Sequence, residues 1–376
     1  MMTGWFRRAR QTRSTVTNRE EAHRQQRLAA CAAYRMLGAI GLIAQLMLWV
    51  TLYAYDRLVQ TTWQAALLLA LPLAGLWALW RRGEVALATQ KGARCTLLLL
   101  LPCLVLDAAV LIRTLAGYIS QLIPEYPYWA CALFPAVLCW LTALLSRENG
   151  AAYGASLFRL LLPGLFLLAT VFLNTNAHPV RLWPLLGQGP VRTAAEALAG
   201  AGSGWGVALL FVLPLHSRRD DTARPAGART AGRAALWTAL PWLMCVIWAL
   251  WYAMVRPWRS GDALDVGERL MGLARHSHSP LLYECSGLLW MLLLPLALTG
   301  SAVSGEKLLR SAAPRVPRSI AALIPLLPGT VAALVWPDDL LGALGWALPW
   351  RALLSAAAGG ALWALSARKG RKVHAG

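Results

Sequence analysis

The sequence predicts an all-α membrane protein of about ten transmembrane helices, and three observations carry that prediction. Hydrophobic residues make up 58% of the 376-residue chain and charged residues only 14%, against roughly 45–50% and about 25% in soluble domains. The apolar residues fall in runs long enough to cross a bilayer, which takes about 20 residues per helix. The basic residues that produce a net charge of +19 gather in short segments between those runs, a pattern that argues for a membrane and against nucleic acid as the partner.

In chain order, the runs predict helices over Ala29–Tyr55, Thr62–Trp80, Cys95–Leu122, Tyr128–Ser146 and Leu157–Asn174, then Ala194–His216, Ala234–Val255, Pro280–Val303, Ser319–Trp336 and Leu340–Leu365. Within lipid every backbone group must be satisfied internally, so helices are the spanning form expected of such runs. The third and eighth are longer than a perpendicular crossing needs, which predicts tilt. Residues 1–28 form a basic segment before the bundle, which covers 29–367, and residues 368–376 a basic tail. The bundle divides into repeat one (about 29–174), repeat two (about 194–336) and an accessory helix (about 340–365).

Orientation follows from the arginines and lysines of the connections. Arg7 to Arg27, Arg81, Arg82, Lys91, Arg94, Arg147, Arg218 to Arg233, Lys307, Arg310, Arg315, Arg318 and Arg368 to Lys372 all fall on one side of a ten-helix topology. The other side keeps only Arg57, Arg181, Arg192, Arg256, Arg259, Arg269, Arg275 and Arg351. Both termini are therefore expected in the cytoplasm. On the outer side, Thr175–Arg192 reads as irregular and Arg256–Ser279 as a short amphipathic surface helix.

Several residues stand out against this background. The sixth helix carries Gly200-Ala201-Gly202-Ser203-Gly204-Trp205-Gly206. Glycine costs about 1 kcal/mol against alanine inside a helix, so the alternation serves either close helix packing or a discontinuous helix that offers backbone groups to a ligand. Gly38 and Gly41, followed by Gln45, occupy the corresponding place in the first helix of a five-plus-five arrangement. Asp107 lies near the middle of the third helix, where an ionisable group faces protein or water and marks function by default. Arg113, six residues on, lies about 240° around the helix, which disfavours a direct pair and leaves it to anchor the helix end. Glu284, Cys285 and Ser286 open the eighth helix ahead of Trp290, with Glu284 suited to interfacial water. The candidate ligand set is Gly38, Gly41, Gln45, Asp107, Gly202, Ser203, Gly204 and Trp290.

No catalytic set, P-loop or cofactor fingerprint is legible, and neither enzyme activity nor a cofactor is expected. His276 and His278 lack a third ligand for a metal. The seven cysteines contain no CxxC spacing, which points away from zinc and from a disulfide framework. Leu28-Ala29-Ala30-Cys31 imitates a lipoprotein box but precedes its apolar run, and the length of that run suits a span rather than a cleavable signal.

Gln121-Leu-Ile-Pro-Glu-Tyr-Pro-Tyr-Trp129, Arg181-Leu-Trp-Pro-Leu-Leu-Gly-Gln-Gly189, Phe211-Val-Leu-Pro-Leu215 and Tyr283-Glu-Cys-Ser-Gly-Leu-Leu-Trp290 together resemble segments of the endospore germination permeases, the B-type subunits of germinant receptors. The resemblance extends over most of the chain in helix order. It implies the amino acid–polyamine–organocation superfamily and a LeuT/APC-like fold of two inverted five-helix repeats. It further implies A-type and lipoprotein C-type partner subunits in the spore inner membrane and a small nutrient ligand such as an amino acid. The chain departs from the family's pattern in its first helix, which lacks a proline after Gly41, and in its sixth, which lacks an acidic residue near Trp205. A secondary amino acid permease, proton-coupled through Asp107, is the alternative, and a scaffold that has lost its ligand is a third.

Overall fold

The computed structural model describes residues 31–53, 59–145, 178–183, 189–214, 228–255, 280–335 and 340–374. Helices account for nearly all of them, and eight are long and apolar enough to cross a membrane. The chain is a multi-pass membrane protein. The predicted helix over 157–174, the amphipathic segment at 256–279 and the pair His276 and His278 lie outside the described residues, as do the side chains of Glu284 and Cys285.

The first helix, α1 (Cys31–Thr51), passes unbroken through Gly38 and Gly41 and widens into a π-turn at Trp49–Tyr53. The second span is α2 (Val59–Leu68) followed by α3 (Ala70–Leu87). The step at Leu69 has a local cause: Pro72 has no N–H to give to the carbonyl four residues back. The third span is α4 (Gln90–Leu122), which starts one turn earlier than its apolar run because the Thr89 hydroxyl caps it, accepting from the Gly92 N–H at 3.1 Å. Then comes α5 (Tyr128–Leu145).

The span predicted as the sixth, and so called below, opens at Gly189, whose φ of 87° suits glycine, with Pro190 at the first helical position. It is built as α6 (Pro190–Ser203), a 3₁₀ turn at Gly204–Gly206 and α7 (Val207–Val212). The remaining spans are α8 (Ala228–Val255), α9 (Pro280–Ala312) and α10 (Arg318–Val335). The last helix, α11 (Leu340–His374), runs well beyond the predicted Leu365 because hydrogen bonding within a helix does not stop where the apolar side chains do.

Two hairpins repeat one another. In each, a 33-residue helix (α4, α9) leads through a five-residue turn to an 18-residue helix (α5, α10). Pro124, Pro127 and Pro135 in the first match Pro314, Pro317 and Pro325 in the second at the same spacing. The long helices pack antiparallel, with Gln90 and Arg94 of α4 donating to the Ala312 carbonyl at the far end of α9.

At that same end, basic side chains satisfy the orphan carbonyls of other helix C-termini. Arg318 donates to Ala143 O at 3.0 Å, and the Lys307 ammonium to Leu213 O, with Lys307 Nζ also 3.1 Å from the centre of the Tyr34 ring. A cation at a helix C-terminus complements both the free carbonyls and the helix dipole. The outward faces carry leucine and valine, among them Leu71, Leu98, Leu145, Leu288, Leu327 and Val335. A lipid-facing surface requires that composition.

Candidate functional site

The first and sixth spans cross so closely that glycine is needed on both sides. A side chain at Gly38 would stand 3.1 Å from the Leu209 and Leu210 backbone, and one at Gly41 3.1 Å from the Leu209 side chain. Gly200 lies under the Trp49 ring, and Gly206 faces Leu42 and the Gln45 amide, whose Oε1 would be 2.9 Å from an added Cβ. The seam therefore runs antiparallel from Gly38 to Trp49. Gln45 is buried beside the 3₁₀ turn, and neither its Nε2 nor its Oε1 has a hydrogen-bond partner. Orphaned buried amide atoms are rare in folded proteins and need an explanation.

The other flank of the turn is α11. Gly202 is pressed against the Leu348 carbonyl, Ser203 is buried within the same turn, and Gly204 faces the tip of Leu73. One turn beyond Leu348 lies Arg351, whose guanidinium stands over the Trp205 ring at 5.5 Å.

Arg351 corrects the sequence reading. The charge count assigns it to an outward connection, whereas the structure places it inside α11 and buries it, paired with Asp107 at 3.2 Å from NH2 to Oδ1. The Ser301 hydroxyl of α9 donates to the other carboxylate oxygen. Asp107 and Arg351 are 2% and 4% exposed, so each charge depends on the other in a medium that solvates neither. As the helix geometry predicts, Arg113 does not supply this pair and instead lies over the Tyr128 ring at 4.4 Å.

A continuous path thus leads from Gln45 through Gly206 and Trp205 to Arg351, Asp107 and Ser301, joining four spans and the last helix, α11. Trp290 is not part of it. It packs edge-on to Trp248, which donates to the Thr51 hydroxyl at 3.1 Å, and it precedes Ser301 in α9 by about 16 Å of helix. Arg351 and Ser301 are the site residues that sequence reasoning missed. A signal for Arg351 existed, since it is the lone charge between Asp339 and Arg368.

No protein-family profile and no curated protein matches the chain. Solved structures do. Two variants of the manganese transporter of Eremococcus coleocola superpose with TM-scores of 0.56 and 0.55 at 15% identity, over 87% of this chain and 76% of theirs. The fold is that of a membrane transporter. It is a LeuT-like fold, and the glycine turn and the ion pair are buried among its helices. At this identity the likeness concerns the fold and not the solute.

Proposed function

We propose that this protein binds a small solute between its first and sixth spans and acts as the B-type subunit of a germinant receptor. In this reading it senses an amino acid-like nutrient in the spore inner membrane and passes the signal to A-type and lipoprotein C-type partners. The observation that carries solute binding is the unpartnered Gln45 amide, buried against the 3₁₀ turn that interrupts the sixth span. Interrupted spans at the middle of a transporter fold are where solutes meet backbone and side-chain polar groups. The germination role rests on the sequence resemblance.

Manganese is not proposed as the solute. A divalent cation seeks uncommitted oxygen ligands, whereas Asp107 is committed to a guanidinium whose positive charge opposes a second cation. A proton-coupled amino acid permease is the second reading. It is favoured by Asp107, a carboxylate at mid-span held by one hydroxyl and one guanidinium.

The test is deletion and complementation in the parent organism alongside uptake in vesicles. The receptor reading expects loss of nutrient-triggered germination and no accumulation of labelled amino acid in proteoliposomes. Concentrative uptake driven by a pH gradient, with germination unaffected, would sink it and establish the permease.

A further inference from the structure

We propose that the Asp107–Ser301–Arg351 cluster is itself a recognition site, in which the two charged ends of a small zwitterion take over the resting ion pair. The proposal rests on the solute-binding reading above and adds which groups read the solute.

The argument begins with unused hydrogen-bonding capacity. A guanidinium has five N–H donors. Arg351 gives one to Asp107 Oδ1 at 3.2 Å, and its Nε is buried with no partner. The Trp205 indole N–H beside it is likewise buried and unpartnered. The contact with Asp107 is therefore single-point through Nη2, and Nε, the other half of the edge that grips a carboxylate bidentately, is unused. Surplus donors next to a buried arginine call for acceptor oxygens.

Charge balance narrows the class. Buried charges are tolerated only when paired. A simple anion docking on Arg351 would strand Asp107, and a simple cation docking on Asp107 would strand Arg351. A zwitterion strands neither. Its carboxylate takes the Arg351 Nε edge and the Trp205 N–H, and its ammonium takes Asp107, whose other oxygen stays with Ser301. No bond is made or broken beyond hydrogen bonds, and the net buried charge is the same before and after.

The experiment uses the purified full chain in detergent, with thermal shift and calorimetry. The probes are L-alanine and L-leucine, their methyl esters, their N-acetyl derivatives, and the uncharged solutes glucose and uridine. Binding is expected for the free amino acids and at least tenfold weaker for the esters and N-acetyl forms, each of which lacks one charge. Asp107→Asn with Arg351→Gln leaves no stranded charge and should bind the amino acids at least tenfold more weakly. Should that double variant fail to fold, Arg351→Lys keeps the charge but not the planar fork, and a tenfold loss is expected there too.

Equal binding of esters and free amino acids, or undiminished binding by these variants, overturns the zwitterion site. Glucose or uridine bound alike by the wild type and the double variant also overturns it while leaving the solute-binding reading standing. A wild type that binds none of the probes counts against both.

Discussion

At the scale of single residues, the Asp107–Arg351 pair governs what substitutions do. Removing one member of a buried ion pair costs about 3–5 kcal/mol, because the survivor is left charged and dry, whereas replacing both with apolar groups of similar size is often neutral. Asp107→Ala and Arg351→Ala should each lower both membrane abundance and melting midpoint. Asp107→Leu combined with Arg351→Met should restore both while abolishing the solute response. Single variants as stable as the wild type would mean that the two charges are not paired in the membrane. Asp107 was legible in the sequence because a carboxylate in an apolar run is costly and conspicuous. Its partner was not, because the charge count takes Arg351 as a mark of orientation although it lies within the predicted Leu340–Leu365 span. What separates Arg351 from such marks is that it pairs across α4 and α11, at a distance along the chain that no local pattern encodes.

At the scale of elements, the sequence reading places the described spans well and errs at their ends. The apolar run shows where lipid is, while a helix begins where its first N–H groups find a cap, as Thr89 does for α4 ahead of the apolar run. Glycine is ambiguous in the same way. An unwound ligand cradle and a tight seam both demand the absence of a Cβ, and spacing cannot distinguish them. The structure shows an uninterrupted first helix packed through Gly38 on the Leu209 and Leu210 backbone, and a sixth span interrupted at Gly204–Gly206. Neighbouring glycines therefore differ in tolerance. A methyl group at Gly202 meets the Leu348 backbone, which cannot yield cheaply, whereas one at Gly204 meets only the end of the Leu73 side chain. Gly202→Ala should cost about 1–3 kcal/mol, the usual range for overpacking, and reduce membrane abundance. Gly204→Ala should accumulate normally, and Gly204→Val should accumulate but lose the solute response. Equal abundance of the two alanine variants would contradict the packing described for Gly202.

At the scale of the whole molecule, the two proline-marked hairpins and the cluster of basic caps bear on how the chain sits in the bilayer. Ile123-Pro-Glu-Tyr-Pro127 and Ala313-Pro-Arg-Val-Pro317 close hairpins of equal length. Because α4 and α9 are antiparallel, the two turns lie at opposite ends of the bundle. The second is the end where Arg94, Lys307, Arg310 and Arg318 converge on helix C-termini and on Glu306. Charge counting puts that end in the cytoplasm, and the capping gives the same charges a structural reason to stay there, since each would leave a carbonyl or a carboxylate unpaired if drawn into lipid. Side-specific labelling decides the matter. In a background with the native cysteines replaced by serine or alanine, Tyr126→Cys in the first turn should react with a membrane-impermeant maleimide applied to intact cells. Arg315→Cys in the second turn should react only after the cells are opened. Tyr126 and Arg315 are both exposed, so protection cannot come from burial in the bundle. The reverse pattern would invert the topology and place the basic caps outside. Labelling of both variants in intact cells would be incompatible with a single orientation, and with hairpins that close at opposite faces of one membrane.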